Sequence, residues 1–236
     1  MICDAHTHVK IDDLKYLEDN EIYSMACAMN PIEAKELIDK TINSKYIHPT
    51  CGIHPFESDK YTCKEIFPYL KIVKVIGEIG MDKAWCKVDF ATQRSIFLEQ
   101  LNLAEELNKP VIIHCKAMER ATAEILENYN MEKIIHWYSS FDCLDLFFDM
   151  DCYFTIGPGL IAGDQSIINL VKRTPLNRIM VESDGIDGIN WALNGKSSIE
   201  IIKSTLNTMV EKIAEIKKEP IELVQSNIER NFFKFF

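Results

Sequence analysis

The chain has 236 residues, 47% of them hydrophobic, with 36 acidic and 26 basic side chains and a net charge of -10. This length suits one barrel or one doubly wound domain, so we expect a single domain over residues 1–236. The negative charge opposes broad attraction to a polyanion, and a nucleic acid could therefore bind only through local contacts.

Short β-prone runs and helical segments alternate along the chain. The strand signals number eight and lie near residues 2–6, 22–28, 46–53, 73–79, 111–115, 133–137, 152–157 and 178–183. Helical periodicity covers residues 31–43, 90–108, 117–128, 142–150 and 165–173. After the eighth strand we expect a loop rich in Gly and Asn over 185–195, then helices over 197–218 and 220–236. The alternation predicts an α/β fold with a parallel sheet, and eight repeats favour a closed (β/α)8 TIM-type barrel with C-terminal helices.

Two histidines follow the first apolar run, in Asp4-Ala5-His6-Thr7-His8. Residues i and i+2 of a strand point to the same face, so His6 and His8 direct two imidazole rings at one point. That geometry can hold a metal ion.

Further metal-binding side chains sit at the ends of other predicted strands. A single histidine beside an apolar run is usually structural, but a set of such groups at the carboxyl ends of parallel strands matches a metal site. The complete set consists of His6, His8, Glu78, His114, His136 and Asp184.

The eight cysteines show no Cys-x-x-Cys spacing, and several fall within predicted buried strands. We expect them to act as small apolar residues in a reducing cytoplasm, rather than as disulfides or zinc thiolates. Strand alternation should point Cys115 away from the face that His114 occupies. The chain enters its first strand at once, which argues against a cleavable secretory leader, and its apolar runs are too short to span a bilayer.

Longer motifs surround these side chains. They include Gly52-Ile53-His54-Pro55, Gly77-Glu78-Ile79-Gly80-Met81-Asp82 and Pro110-Val111-Ile112-Ile113-His114. With the opening Asp-Ala-His-Thr-His, these motifs resemble the TatD family of deoxyribonuclease-like hydrolases within the amidohydrolase superfamily. The matches extend over almost the whole chain.

The resemblance implies a site for two divalent metal ions, which could be zinc, magnesium or manganese. It places His6, His8 and Asp184 on one ion and His114 and His136 on the other, with Glu78 bridging. It also assigns Asp184 as the base that takes a proton from the attacking water. Such an ion pair can polarise a phosphoryl oxygen and stabilise a leaving oxygen.

Two cationic candidates could bind substrate. A turn after strand three would bring His54 to the barrel mouth, within reach of a phosphate. Lys116 stands where the family usually carries arginine, so it could pair with phosphate as a point charge without forming a bidentate fork. His48 precedes a proline and has no partner motif, which favours a structural role.

The sequence departs from the family pattern in the pocket. Ala117 replaces the usual Asp, Trp137-Tyr138-Ser139-Ser140 replaces the common Cys-Phe-Ser-Gly, and the proline expected after Asp184 is absent. The segment from Trp137 is similar to TatD variants encoded in bacterial antiphage gene clusters. Trp137 and Tyr138 could stack on a nucleobase, although strand-end aromatic residues more often serve packing.

The leading hypothesis is a phosphodiesterase acting on DNA ends or single strands. The same ions could instead hydrolyse an amide or ester bond, including a lactone, but such binuclear sites often use a bridging lysine at strand four, where this chain has Glu78. A third alternative is a metal-binding barrel that serves as a subunit of a bacterial defence complex. The sequence names no protein partner.

Overall fold

Eight parallel strands form one sheet whose spatial order follows the chain. The computed structural model describes residues 1–236. The strands are β1 (Ile2–Thr7), β2 (Ile22–Ala28), β3 (Ile47–Cys51), β4 (Ile76–Asp82), β5 (Val111–Lys116), β6 (Lys133–Ile135), β7 (Tyr153–Ile156) and β8 (Ile179–Val181). The backbone N–H of Asp184, just past β8, donates to the carbonyl of His6 in β1 (3.1 Å), which brings the last strand beside the first. The predicted TIM-type barrel is confirmed.

Ten α-helices surround the barrel. They are α1 (Leu14–Asp19), α2 (Pro31–Thr41), α3 (Cys63–Leu70), α4 (Phe90–Glu106), α5 (Glu119–Leu126), α6 (Leu144–Asp149), α7 (Gln165–Arg173), α8 (Gly185–Leu193), α9 (Ile201–Lys217) and α10 (Ile221–Phe233). None of them combines the length and apolar character that a membrane crossing requires.

The predicted loop over 185–195 is wrong, because most of it forms α8. Its glycines weaken helix propensity, which is why the sequence suggested a loop. Tertiary packing overrides that preference, since Ile189 on this helix is completely buried in the main core.

The barrel interior contains its own apolar cluster, separate from the core between sheet and helices. Ile112 and Ile134 belong to this inner cluster, and each lies two residues before a site histidine. Because strand side chains alternate, His114 and His136 share the inward face one layer higher. The site at the carboxyl ends of the strands thus lies directly above an apolar layer of the barrel interior.

Two strands reach the site through a break in regular pairing. The register shifts between Asp4 and Thr7 in β1, and between Ile76 and Ile79 in β4. Such irregularities redirect side chains. In β1 the shift lets Ala5 join the inner apolar cluster while the next residue, His6, also faces the site.

Aromatic side chains of α10 and of the residues that follow it close the opposite end of the barrel. Phe232 and Phe235 are buried within the inner cluster. Phe235 packs edge-on against Tyr153 at the start of β7, with ring centroids 5.2 Å apart. The C-terminal aromatic residues therefore pack against the barrel.

All eight cysteines are free thiols, six of them buried. Cys115 lies in the main core outside the sheet, away from the inward face of His114. Burial raises its pKa to about 12. These cysteines therefore behave as apolar residues, as predicted, except for Cys27, which lies beside His6 and His8.

His48 lies at the closed end of the barrel, where its ring stacks on Phe236 with centroids 3.9 Å apart. Its Nε2 atom is buried without a hydrogen-bond partner. Burial, and to a smaller degree Lys74, lowers its pKa to about 4. The predicted structural role fits this position.

Phe232→Ala should lower the free energy of unfolding by about 3–5 kcal/mol, because it leaves a cavity in the inner cluster. The measurement is urea unfolding followed by circular dichroism. Phe141→Ala is the matched control, since that ring is 63% exposed, and it should change stability by less than about 0.5 kcal/mol. Equal losses in the two variants would contradict the closing role of α10.

His48 should make the protein sensitive to mild acid. The unfolded imidazole, with its ordinary pKa near 6.5, takes up a proton that the folded one resists. The free energy of unfolding should therefore be fully maintained above about pH 6.5 and fall as the pH approaches about 4. His48→Phe keeps an aromatic ring for stacking but removes the titrating group. The free energy of unfolding of this variant should therefore fall less between about pH 6.5 and pH 4. The same pH dependence of that free energy in both proteins would refute this account.

Candidate metal centre

The carboxylate of Glu78 lies at the centre of the barrel mouth, almost fully buried, with five histidines around it. Its Oε1 atom is 2.5 Å from Nδ1 of His114 and 3.5 Å from Nε2 of His136. Its Oε2 atom faces the other side, 3.2 Å from Nε2 of His8 and 3.4 Å from Nε2 of His6. The two oxygens therefore face different sets of imidazoles.

Glu78 is ionised in this environment. Burial alone would raise its pKa, but the surrounding histidines, His136 foremost, hold the pKa well below its usual value. Burial lowers the pKa of His136, and its neighbour His6 lowers it further. The centre thus combines an anionic carboxylate with a neutral imidazole, and these are the forms in which such groups bind metals.

Two of the histidines are held by carboxylates that bind the ring nitrogen facing away from Glu78. Nε2–H of His114 donates to Oδ2 of Asp82 (2.8 Å), so Nδ1 is the nitrogen directed at Glu78. Nδ1–H of His136 donates to Oε2 of Glu182 (2.8 Å), so Nε2 faces the centre. Carboxylates of this kind fix the tautomer and orientation of metal-binding histidines.

Sequence reasoning gave no role to these two supporting carboxylates. Asp82 ends the Gly-Glu-Ile-Gly-Met-Asp motif, four residues after Glu78, and Glu182 precedes Asp184 by two residues. Burial would raise the pKa of Asp82, but the hydrogen bond from His114 and those from nearby backbone groups lower it to about 2. The sequence signal for both supporting residues is an acidic side chain two or four residues away from a proposed metal ligand.

Asp184 completes the group at the end of β8. Its Oδ1 atom is 3.5 Å from Nε2 of His6 and 3.8 Å from Nε2 of His8, and its side chain is partly exposed to the cavity. Its backbone has a φ of 54°, and that of Gly185 is 71°. Proline cannot adopt a positive φ, and a Cβ at Gly185 would collide with the carbonyl of His8, so the missing family proline follows from this backbone path.

Asp4 of the opening motif supports the site rather than lining it. The backbone N–H and the hydroxyl of Ser183 donate to its two carboxylate oxygens at 2.8 and 2.6 Å. Burial raises the pKa of Asp4 to about 7, against the lowering effect of these bonds. The contact joins β1 to the segment that carries Asp184.

Two residues lie closer to the centre than predicted. His54, expected at the substrate, has Nε2 3.6 Å from Oε2 of Glu78, so it groups with Glu78 and His114. Cys27, at the end of β2, lies beside His6 and His8, and its Sγ accepts a hydrogen bond from the backbone N–H of Glu78 (3.0 Å). No motif singled out Cys27, because its role depends on the spatial neighbour β4.

Lys116 is buried in the cavity wall, as the inward face of β5 requires. Its Nζ donates to the backbone carbonyl of Trp137 and lies 3.4 Å from Oγ of Ser139. Burial lowers its pKa, partly offset by Glu182 and Asp184. Lys116 therefore lies at the barrel mouth, as predicted for a substrate-binding cation, and its ammonium group already contacts Trp137 and Ser139.

A cavity of about 430 Å³ opens over the carboxylate and histidine cluster. Its aromatic wall consists of Phe56, Trp85, Trp137 and Trp191. Tyr138, the neighbour of Trp137, points instead into the core against Phe147. The two adjacent aromatic residues thus divide between cavity and core.

The donor set suits divalent metal ions. Imidazole nitrogens and carboxylate oxygens are the usual ligands of zinc, manganese and related ions, and here they converge in three overlapping groups whose ligand atoms lie within 4.8 Å of one another. The supporting carboxylates give the histidines fixed orientations.

The sequence matches the family model described as TatD related DNase over residues 3–236. The protein of Methanocaldococcus jannaschii named uncharacterized metal-dependent hydrolase MJ1582 is 28% identical over 204 residues, covering 83% of this chain and 78% of that protein. The human protein named deoxyribonuclease TATDN3 is 27% identical over 203 residues, covering 80% of this chain and 72% of that protein.

Solved structures share the fold. The Escherichia coli TatD homologue YjjV has a TM-score of 0.84 at 18% identity, covering 100% of this chain and 97% of that one. A TatD family hydrolase from Entamoeba histolytica has a TM-score of 0.80 at 14% identity, with the same coverage. Since the family model spans nearly the entire sequence, the resemblance inferred from its motifs is confirmed, and the chain belongs to the TatD family of metal-dependent hydrolases.

Proposed function

We propose that this chain is a phosphodiesterase that uses two divalent ions and cleaves DNA at ends or single strands. The observation that carries the proposal is the position of Glu78. One oxygen of its carboxylate faces His6 and His8, and the other faces His114 and His136. A carboxylate flanked in this way can bridge two ions.

We assign the ligands to the two ions as the family resemblance implies. His6, His8 and Asp184 would hold one, and His114 and His136 would hold the other, with Glu78 shared. When bound, such ions polarise the phosphoryl oxygen, lower the pKa of water and stabilise the leaving oxygen. This donor set accepts several ions, including zinc, magnesium and manganese. Metal analysis of the purified protein would identify the ion that is bound.

Protein side chains would handle the proton and the phosphate. Asp184 is the partly exposed carboxylate of the set, so it can accept the proton of the attacking water from the cavity side. Lys116 lines the same cavity and can donate hydrogen bonds to phosphate oxygens. His54 also lines it, and because its Nδ1 accepts the backbone N–H of Phe56, its Nε2–H is the donor it can offer. Asp82 and Glu182 would keep the two histidines in their binding tautomers.

The nucleic-acid substrate is supported by the relatives and by the ligand type at strand four. The human relative is named a deoxyribonuclease, and the matched family model is described as a TatD related DNase. A bridging carboxylate, rather than a bridging lysine, favours phosphoester chemistry over amide or lactone hydrolysis. A substrate panel separates these activities.

Glu78→Ala and Asp184→Ala should each reduce cleavage of single-stranded DNA by more than about a thousandfold, because several kcal/mol of transition-state stabilisation would be lost. Glu182→Gln keeps every proposed ligand and should cost about 10- to 100-fold in metal affinity or activity. The measurements are initial rates, metal content by mass spectrometry and thermal unfolding to verify the fold.

Full activity in a folded Glu78→Ala protein, together with insensitivity of the unaltered protein to chelators, would overturn the metal mechanism. It would favour the alternative of a binding subunit. Activity on a small amide or lactone, with none on DNA, RNA or a simple phosphodiester, would reassign the reaction.

Removing both His54 and Lys116 by alanine substitution should reduce kcat/KM for DNA at least tenfold while metal content stays constant. Each charge-assisted contact is worth about 1.5–3 kcal/mol, and the salt dependence of the double variant should be shallower. Lys87→Ala is the matched control, because that lysine is exposed and outside the cavity wall.

Loss of metal from the double variant would identify His54 as a ligand instead of a substrate group, since His54 also faces Glu78. Lys116→Ala alone then isolates the phosphate contact. Unchanged kcat/KM in both variants would remove these residues from substrate binding.

A further inference from the structure

Three tryptophans from separate parts of the chain meet at the barrel mouth. Trp85 lies in the loop after β4, Trp137 follows β6, and Trp191 lies on α8. The ring centroids of Trp85 and Trp191 are 6.1 Å apart with planes at 78°, and those of Trp137 and Trp191 are 5.8 Å apart with planes at 73°. We call this group the tryptophan corner.

The outer two rings of the tryptophan corner are unusually exposed. Trp85 is 56% exposed and Trp191 is 65% exposed, although both line the cavity above Glu78. Adjacent exposed aromatic surface in a cavity marks a binding site more often than a packing site. Packing within the protein therefore does not account for their position.

The inner ring is fixed in place. Trp137 is only 6% exposed and packs closely on the backbone of Gly157, where a Cβ would collide with the indole. Its backbone has a φ of 35°, a conformation that is costly for an aromatic residue and often occurs at functional sites. The tryptophan corner thus has a rigid inner wall and an exposed outer wall.

We propose that the tryptophan corner binds the nucleobase next to the scissile phosphate, so that Trp85 and Trp191 determine the preference for a base-bearing substrate. This inference rests on the proposed phosphodiesterase function and names the group that the cavity recognises beyond the phosphate. Near-perpendicular rings offer one face for stacking and another for edge contact with a planar ring. Base stacking on aromatic side chains tolerates any base sequence.

Lys116 makes the ring of Trp137 a poor site for a positively charged ligand. Aromatic groups of this kind also bind quaternary ammonium ions. Here the ammonium of Lys116 already lies 5.9 Å from the ring of Trp137 and donates to the carbonyl of the same residue. A second cation beside this ring would be repelled, whereas a phosphate attached to the base would be attracted.

Calorimetric titration tests the tryptophan corner without any need for catalysis. The probes are dAMP and 2-deoxyribose 5-phosphate, which differ only by the base, added to metal-loaded protein. We expect dAMP to bind on the order of tenfold more tightly. Trp191→Ala should remove most of that difference, Trp191→Phe should keep most of it, and Phe141→Ala, equally exposed but outside the cavity, should have no effect.

A cleavage assay supplies the second measurement. Oligonucleotides with either an adenine or an abasic site at the terminal position should differ on the order of tenfold in kcat/KM for the unaltered protein, and Trp191→Ala should bring the two rates together. If neither oligonucleotide nor any other phosphodiester is cleaved, the proposed function fails, while the titration still decides whether the base is bound.

Equal affinity of the unaltered protein for the two probes would overturn the inference. So would a preference for dAMP that persists in Trp191→Ala. Tetramethylammonium that binds more tightly than dAMP, and loses that binding in Trp191→Ala, would assign the tryptophan corner to a cation instead.

Discussion

The structure depends on one buried carboxylate, Glu78, and on the imidazoles that surround it. A charged side chain at this depth is stable only when partners compensate for the loss of hydration. No single strand could supply those partners, because each strand presents only one or two inward residues at its carboxyl end. A parallel barrel solves this problem by bringing eight strand ends to one rim, where histidines distant in sequence can face the same anion.

The same requirement explains the irregular parts of the sheet. In β1 the residues Ala5 and His6 both point inward, which ideal alternation forbids, and the pairing register shifts at that point. The shift in β4 lies immediately around Glu78. Strong support from Asp4 and Ser183 keeps the end of β8 close to β1, so the break in β1 does not open the barrel.

The sequence predicted the strands, the barrel and the six proposed ligands because each depends on local pattern: an apolar run, then a histidine or carboxylate at its end. Local sequence patterns did not predict the roles of Asp82, Glu182 and Cys27, because those roles depend on contacts with neighbouring strands. Helix α8 was not predicted for a related reason. Its glycines argue against a helix locally, and only the contact with β1 shows why Gly185 must be there.

Phe232 at the end of α10 and Phe235 just after it close the lower end of the barrel, and both follow all eight strands in the chain. During synthesis, the strands emerge before Phe232 and Phe235 are available to fill the interior. A barrel assembled at that stage would expose its apolar interior at the end opposite the candidate metal centre. Exposed apolar surface of this kind favours aggregation, so the order of the elements makes the nascent chain most vulnerable just before its last helix appears.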